Sequence, residues 1–442
     1  MYDPVSRREF LQRALAAGTA TAVGGAALWQ PRRVAAARPR SPNERLNLAI
    51  IGVAGQGGYN LNNVTSENIV ALCDIDSQRL GPVAMKFNQA RTYDDYRVLL
   101  DKEKDLDAVV VSTPDHSHAV PVMWALRRGL DVYCEKPLAH SVWEVRQMRE
   151  LAAAQKAVTQ MGTQIHAGDN YRRAVEIVQA GVLGPVRQVH VWQANSVRPG
   201  HRAAADAMPP ATVNYDQWTG PAPLRPFDPS HFHFNWRYWW DFGGGILADM
   251  GCHYIDLPFW ALGLRYPASI EAHGEKTYEG ENNVPDNLRV EYEFAERETP
   301  QGKQPPLKLT WYHGAWKPEG AEAYGKGAAV LFEGDRGRLL ADYGSHQLFM
   351  NEGETATTPP ASIPSSIGHH AEWIAAVKTR GATTCNFDYS GALAETVLLG
   401  NVSYRAVQQR LEWDAEKLTA TNCPAAAEFV RRDYRAGWSL DG

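Results

Sequence analysis

The sequence has few cysteines, no excess of basic charge and no long hydrophobic run. Its five cysteines, at positions 73, 134, 252, 385 and 423, form no C-x-x-C pair, so it carries neither a zinc knuckle nor a dithiol redox motif. Lys and Arg total 45 against 50 Asp and Glu, which gives a net charge of -5. This balance argues against a nucleic-acid-binding protein that relies on a broad basic surface. We therefore expect no nucleic-acid partner.

The remaining composition is that of a folded protein. With 442 residues, 44% hydrophobic and 21% charged, the chain can bury a full core and form two or three domains. Intrinsic disorder and a small disulfide-stapled fold are both excluded by this length and composition.

The first 37 residues have the features of an export signal. Arg7 and Arg8 precede an uncharged stretch of small and apolar residues from Leu15 to Leu28, and Ala35–Ala37 follow as a small-residue cleavage site. This order predicts a twin-arginine signal peptide over residues 1–37, and hence a periplasmic or secreted protein. The apolar stretch is shorter than the roughly 20 residues of a membrane span, so we expect no stable membrane insertion after cleavage. An uncleaved membrane anchor is the alternative.

A dinucleotide-binding pattern follows the signal. Residues 46–52 read LNLAIIG, a short apolar run typical of a buried parallel strand. The next turn has the form G-x-A-x-x-G, whose first glycine permits the tight turn and whose last allows close packing of helix on strand. A second strand over 69–73 ends at Asp74, 22 positions after Gly52, where a carboxylate binds ribose hydroxyls and disfavours NADP. We therefore predict NAD as cofactor, with contacts from Gly52, Ala54, Gly55, Gln56, Gly57 and Asp74. A structural glycine turn before a capping aspartate is the alternative.

Further strands and helices alternate along the chain. Residues 107–112 read as a strand that leads into Thr113 and Pro114, and residues 131–134 as a strand that leads into Glu135 and Lys136. Such alternation predicts right-handed crossovers and a parallel sheet. Because ligands bind beyond the carboxyl ends of these strands, these four residues are cofactor-site candidates.

A second constellation lies between residues 243 and 263. Three glycines lead into a predicted helix that runs to about Leu262, on which Asp249, His253 and Asp256 stand at i, i+4 and i+7 and share a face. A carboxylate one turn from an imidazole can orient it and raise its pKa, as for a general base. A salt-bridged histidine on a helix surface is the alternative. His231 and His233 form only a weak metal pattern, and no metal is predicted.

Together these motifs resemble the Gfo/Idh/MocA family, named after glucose–fructose oxidoreductase, inositol dehydrogenase and a rhizopine catabolism protein. The resemblance rests on the glycine-rich turn, Asp74, Thr113-Pro114 with His118, Glu135-Lys136-Pro137 and the D-x-G-x-H pattern at 249–253. It implies an α/β fold: an N-terminal Rossmann domain with a parallel sheet, over residues 43–164, and a C-terminal α+β domain with a large, mostly antiparallel sheet, over 165–442. That sheet commonly forms oligomer interfaces, so a homodimer or homotetramer is expected.

The resemblance also implies roles for individual residues. His253 would remove the hydroxyl proton, Lys136 would hydrogen-bond the reacting oxygen, Asp249 would orient its neighbours, and His118 would join the cofactor site. Gln164 and His166, which follow a predicted strand at 158–161, would enter the substrate pocket. The export signal and aromatic inserts are similar to those of the secreted branch, some members of which are NAD-dependent glycoside hydrolases.

A proline-rich segment precedes the second constellation. Residues 198–235 hold seven prolines and end in the aromatic run HFHFNWRYWW at 231–240. Long segments of this kind in compact domains are usually functional. We interpret the run as a sugar-binding wall, with Trp236 and Arg237 as substrate residues; core or oligomer packing is the alternative.

Three functions remain open at this point. The first is an NAD-dependent oxidoreductase that acts on a hydroxyl of a sugar, sugar derivative or cyclitol. The second is a redox-neutral NAD-dependent glycoside hydrolase, which oxidises, eliminates, adds water and reduces within one cycle. The third is a non-catalytic carbohydrate-binding accessory protein.

Overall fold

The computed structural model describes residues 41, 43–202, 207–406 and 409–441. The predicted export signal lies outside these residues. Among the helices described, none is both long and apolar enough to cross a membrane.

The N-terminal part is a six-stranded parallel sheet with intervening helices. Its strands lie in the order β3-β2-β1-β4-β5-β6, the Rossmann order, which confirms the predicted parallel sheet. Its elements are β1 (Asn47–Ile51), α1 (Gln56–Asn63), β2 (Asn68–Cys73), α2 (Ser77–Lys86), β3 (Arg91–Tyr93), α3 (Tyr96–Lys102), β4 (Ala108–Val111), α4 (Ala119–Arg127), β5 (Asp131–Cys134), α5 (Val142–Gln155) and β6 (Thr159–Met161).

Local sequence explains where these elements begin. The central strands β1, β4 and β5 are almost wholly buried, as expected for apolar runs covered on both faces. Helices α2, α3 and α5 each begin after a side-chain cap, supplied by Asp76, Asp95 and Ser141.

The C-terminal part contains a nine-stranded sheet in the order β15-β14-β13-β7-β12-β9-β8-β16-β17. Of its described pairs, β7 and β12 run parallel and the others antiparallel. This confirms the predicted large, mostly antiparallel sheet. The elements are α6 (Asp169–Gln179), β7 (Val186–Gln193), α7 (Tyr215–Thr219), α8 (Gly245–Tyr254), α9 (Asp256–Ala261), β8 (Ser269–Glu275), β9 (Asn287–Phe294), β10 (Arg297–Thr299), β11 (Gly302–Gln304), β12 (Leu307–His313), β13 (Ala328–Gly334), β14 (Gly337–Ala341), β15 (His346–Met350), α10 (His369–Thr379), α11 (Phe387–Arg405), β16 (Leu411–Asp414), β17 (Thr419–Ala420) and α12 (Ala427–Val430).

The helix predicted to run from the glycines to Leu262 is interrupted. The structure ends α8 at Tyr254 and begins α9 at Asp256. Pro258 explains the break, because a proline has no N–H to bond the carbonyl group of Tyr254.

The last third of the chain packs back onto the first sheet. Trp373 and Val377 of α10 share a buried cluster with Leu48 and Val110 of the parallel sheet. Ion pairs join the same parts: Lys378 with Glu67 at 2.8 Å, Arg146 with Glu395 at 2.7 Å, and Arg432 with Glu144 at 2.7 Å. The packing of the first sheet is therefore completed by residues far along the chain, while the boundary between residues 164 and 165 stays a prediction.

Candidate active site

The glycine-rich turn lies between β1 and α1. Gly52 has φ +86°, and a Cβ there would lie 2.6 Å from the carbonyl oxygen of Ser112. A Cβ on Gly57 would lie 2.0 Å from the carbonyl oxygen of Gly52. Both positions therefore require glycine for the reasons the pattern indicates: the first for the turn and the last for the approach of helix to strand.

Asp74 stands at the carboxyl end of β2, beside this turn. The backbone N–H of Val53 donates to its Oδ2 at 3.0 Å, and that of Asp76 donates to its Oδ1 at 3.1 Å. Burial raises the pKa of Asp74, and these two backbone donors oppose that rise. The carboxyl group is thus fixed at the predicted ribose end of the turn.

Glu135, after β5, is held by three side-chain amides. Its Oε1 accepts hydrogen bonds from Asn60 at 2.8 Å, Gln164 at 2.9 Å and Gln56 at 3.1 Å. Burial raises the pKa of Glu135. Gln56 and Gln164 were candidates from the sequence; Asn60 was missed, because nothing in its local pattern marks a residue of α1 that faces β5.

Lys136 and Asp249 meet across the site. The Lys136 Nζ donates to the Asp249 Oδ1 and to the Asp249 carbonyl oxygen, both at 2.6 Å, and the Arg237 Nε donates to the same Oδ1 at 3.1 Å. Although burial opposes the shift, Lys136 and Arg237 hold the pKa of Asp249 well below its ordinary value. Burial also opposes ionisation of Lys136, but the carboxylates of Asp249 and Asp115 raise its pKa overall. Lys136 is therefore a charged hydrogen-bond donor at neutral pH and not a base.

His253 lines the same cavity one helical turn beyond Asp249. Burial, with a smaller contribution from Lys136, lowers the pKa of His253 to about 3. The sequence-based expectation that the Asp249 carboxylate would raise this pKa overall is wrong, because desolvation outweighs its attraction. The imidazole is consequently neutral at physiological pH and has a nitrogen lone pair able to accept a proton.

His166 and Asp256 form a separate, buried cluster. The His166 Nδ1 lies 2.9 Å from both carboxylate oxygens of Asp256, its ring stacks on Trp260 at 4.0 Å, and the Tyr389 hydroxyl donates to Asp256 at 2.7 Å. Among the residues described, His166 is not part of the cavity lining. The expectation that it contacts substrate is therefore wrong: the pairing with Asp256 turns its ring into the core.

This buried cluster also has metal-ligand geometry. The ligand atoms of His166, Asp256 and Cys385 lie within 4.8 Å of one another. The hydrogen bonds from His166 and Tyr389 already satisfy the Asp256 carboxylate, so the cluster is held together by its own side chains. His231 and His233 do not join it: His231 stacks on Trp218 at 5.2 Å and His233 bonds Asp76 at 3.1 Å.

One cavity of about 580 Å³ connects the glycine-rich turn with Lys136, Asp249 and His253. The His118 ring is fixed by the Thr113 carbonyl oxygen at 2.7 Å, and burial lowers the pKa of His118 to about 4. The sequence-predicted residues that line this cavity are Gly52, Ala54, Gly55, Gln56, Asp74, Thr113, Pro114, His118, Glu135, Lys136, Gln164, Trp236, Arg237, Asp249 and His253.

The proline-rich segment covers the nucleotide end of the cavity. The backbone N–H of Ser77 donates to the Thr212 carbonyl oxygen at 2.9 Å, and that of Asn214 donates to the Ile75 carbonyl oxygen at 2.8 Å. The His233 ring lies 3.1 Å from Asp76 Oδ2. We call residues 207–233 the roof segment. Its residues Gln217, Trp218 and His233 line the cavity but were not predicted to do so. Each has a hydrogen-bond partner in the first sheet domain more than 100 positions away.

The aromatic run at 231–240 contributes some residues to the cavity lining and others to a buried cluster. Trp236 and Arg237 line the cavity, together with Phe234. Trp239 instead joins a buried cluster with Trp218 and Phe242. Only the centre of the run therefore lines the cavity, where sugar binding stays a prediction, and core packing holds for Trp239.

The residues present fit a dinucleotide. Gly55, where a Cβ would meet nothing within 4 Å, is exposed at the start of α1. A carboxylate is fixed at the end of β2, and the cavity reaches from there to Lys136. Helix N-termini with exposed N–H groups are suited to a pyrophosphate. Fold and site together define a dinucleotide-binding scaffold of the Rossmann type.

Comparison with known families agrees with this class. Residues 46–163 match the oxidoreductase family model with an NAD-binding Rossmann fold, and residues 170–299 match that family's C-terminal α/β domain model. The two matches together span over half of the chain. The protein belongs to the Gfo/Idh/MocA oxidoreductase family, and its N-terminal domain is an NAD-binding Rossmann domain.

Individual relatives point to the same family. Inositol 2-dehydrogenase from Rubrobacter xylanophilus is 30% identical over 168 residues, which is 36% of this chain and 48% of the relative. The chain thus spans about half the length of the curated relatives it matches.

Two solved structures share the fold. GenD2 from gentamicin A biosynthesis, in complex with NAD, is 21% identical with a TM-score of 0.60 and covers 86% of this chain and 99% of its own. The WlbA dehydrogenase from Bordetella pertussis, in complex with NADH and UDP-GlcNAcA, is 15% identical with a TM-score of 0.60. The match covers 84% of this chain and 99% of that protein.

Proposed function

We propose that the protein is an NAD-dependent oxidoreductase that oxidises a hydroxyl group of a sugar, sugar derivative or cyclitol. One observation carries the proposal: a single cavity holds the dinucleotide turn and Asp74 at one end and Lys136, Asp249 and His253 at the other. Relatives named inositol 2-dehydrogenase support a polyhydroxylated substrate. The comparisons lend no support to the glycoside hydrolase or to the non-catalytic binding protein.

The three reactive residues divide the work. NAD supplies, when bound, the acceptor for the hydride that leaves the substrate carbon. Two hydrogen bonds tie Lys136 to Asp249, and because an ammonium has three N–H groups, one is left for the substrate oxygen. His253 is neutral and accepts the hydroxyl proton. Asp249 keeps Lys136 charged and in place.

Export and assembly remain proposals from the sequence. The paired arginines and small-residue site at 1–37 support a periplasmic or secreted location. The large C-terminal sheet supports a homodimer or homotetramer, as in the family resemblance. Light scattering of the purified chain would measure the assembly.

The proposal is tested by NAD reduction. The purified full chain, with saturating NAD, is mixed with myo-inositol, D-glucose and D-glucuronate, and NADH absorbance is followed. We expect NADH with at least one of these. Lys136→Met and His253→Ala should each lower kcat by about 10² to 10⁴, while NAD binding is retained.

Lys417→Met is the matched control, because the Lys417 side chain is 75% exposed and pairs with Asp414 on the surface. Its turnover should equal that of the parent chain. Undiminished turnover in Lys136→Met would refute the proposed role, and absence of NADH with every hydroxylated compound would refute the proposed activity.

A further inference from the structure

Arg237 is held rigidly at the reactive end of the cavity. Its guanidinium carbon lies 4.2 Å from the ring centroid of Trp236 and 4.4 Å from that of Phe234. Its Nε donates to Asp249 Oδ1 at 3.1 Å, and its Nη1 donates to the Phe234 carbonyl oxygen at 3.2 Å. A guanidinium fixed in this way has already lost most of its rotamer freedom before a ligand arrives.

Part of this guanidinium is left for a ligand. The Nη2 makes no hydrogen bond to any residue within the described part of the chain, and Arg237 lines the cavity beside Lys136 and His253. An Arg side chain has five N–H donors in one plane. Because all of these donors lie in the guanidinium plane, the free Nη2 can bind a ligand along the edge of the group.

The reactive end of the cavity is rich in cations. Lys136 and Arg237 both bond the same oxygen of Asp249, so one carboxylate serves two cations. Arg198 adds a further cation, whose guanidinium carbon lies 5.0 Å from the centroid of the Phe234 ring. Two further acids lie nearby, Asp115 and Glu135, and both are buried: burial raises the pKa of Asp115 to about 7 and also raises that of Glu135. Because burial disfavours the charged form of both acids, the Arg237 side of the site keeps cations available for an anionic ligand.

We propose that Arg237 binds a carboxylate group of the substrate, so that the substrate is a sugar acid or a uronic acid derivative rather than a neutral sugar or cyclitol. The proposal rests on the proposed oxidoreductase function. A planar carboxylate can pair with the edge of a guanidinium through two parallel hydrogen bonds. A phosphate can make the same pair, and glucose 6-phosphate in the test below distinguishes the two. The oxidised hydroxyl then lies on the Lys136 and His253 side, while the acid group is held on the Arg237 side.

The test uses matched acid and neutral sugars. D-glucuronate is compared with D-glucose, and D-galacturonate with D-galactose, on the NAD-loaded full chain; glucose 6-phosphate represents a phosphate. Binding is measured by titration calorimetry and turnover by NADH absorbance. We expect an acid of the panel to bind at least tenfold more tightly than its neutral partner, the effect of about one charged hydrogen bond.

Two variants test whether Arg237 causes the preference for the acid over the neutral sugar. Arg237→Gln should reduce the acid-to-neutral affinity ratio by about tenfold to a hundredfold and change the affinity for the neutral sugar less. Arg265→Gln is the control, because Arg265 pairs with Asp388 on the surface and should leave the ratio unchanged. If Arg237→Gln weakens both partners equally, Arg237 only supports Asp249 and the proposal is overturned.

The remaining outcomes separate this inference from the proposed activity. Arg237-dependent binding of an acid without NADH formation supports the inference and contradicts the activity. NADH formation with neutral sugars only, tighter binding of glucose 6-phosphate, or no binding of either acid overturns the inference, whatever the activity.

Discussion

At the residue scale, the site depends on carboxylates whose environments differ. Asp249 is ionised because two cations share its Oδ1. Asp115 lies nearby, but burial raises its pKa to about 7. Asp74, at the opposite end of the cavity, is held by two backbone N–H groups. Each acid therefore has a different task, which residue type alone does not reveal.

Asp74 gives the residue-scale prediction. In Asp74→Ala, the dissociation constant for NAD should rise by about tenfold to a hundredfold, because charged hydrogen bonds to the ribose are lost. Discrimination against NADP should weaken at the same time. Fluorescence titration with both nucleotides measures this. Asp105→Ala, an exposed position outside the cavity lining, is the control; unchanged NAD affinity in Asp74→Ala would contradict the role.

At the element scale, the start of α1 depends on how closely helix and strand approach. Gly57→Ala would place a Cβ 2.0 Å from the Gly52 carbonyl oxygen, so the helix must shift. We expect weaker NAD binding and a lower Tm. Gly81→Ala in α2 is the matched control, since a Cβ there meets nothing within 4 Å. It should stabilise the fold by up to about 1 kcal/mol. Equal Tm and NAD affinity in the two variants would contradict this account.

The same scale shows how far sequence reasoning reaches. The βαβ alternation and the D-x-G-x-H helix predict the sheet and the central site residues, because their signals are local. The roof residues Gln217 and Trp218 were missed, since their partners, Asp95 for Gln217 and His116 for Trp218, lie more than 100 positions away and meet them only through tertiary folding. His166 was wrongly placed, because Asp256 competes for its ring and lies 90 positions away.

At the scale of the whole molecule, buried neutral histidines make stability depend on pH. Burial lowers their pKa values to about 3 for His116, His253 and His369, and to about 4 for His118, His231, His313 and His370. The unfolded chain takes up these protons below about pH 6.5, whereas the folded chain does not until far lower. Stability is therefore lost as the pH falls from about 6.5 towards 4. Asp115, with its raised pKa, acts in the opposite direction.

His313 isolates one such contribution. Its side chain is 1% exposed. Keeping it neutral should lower the free energy of unfolding by about 1.4 kcal/mol for each pH unit below 6.5. Urea unfolding at about pH 7.5 and about pH 5, compared between the parent and His313→Gln, measures it. We expect the variant to lose less stability between the two conditions. An identical loss in both proteins would show that His313 does not contribute.

The return of the C-terminal helices to the first sheet has a consequence for the protein's synthesis. The ribosome completes the first six strands roughly 200 residues before it makes α10, so the nascent sheet exposes the surface that Trp373 covers. The ion pairs of Glu67 with Lys378 and of Asp131 with Arg380 likewise cannot form until α10 and the residue after it have been synthesised. We expect the growing chain to need chaperones until its last helices have been synthesised. An N-terminal half expressed alone should aggregate unless α10 is supplied with it.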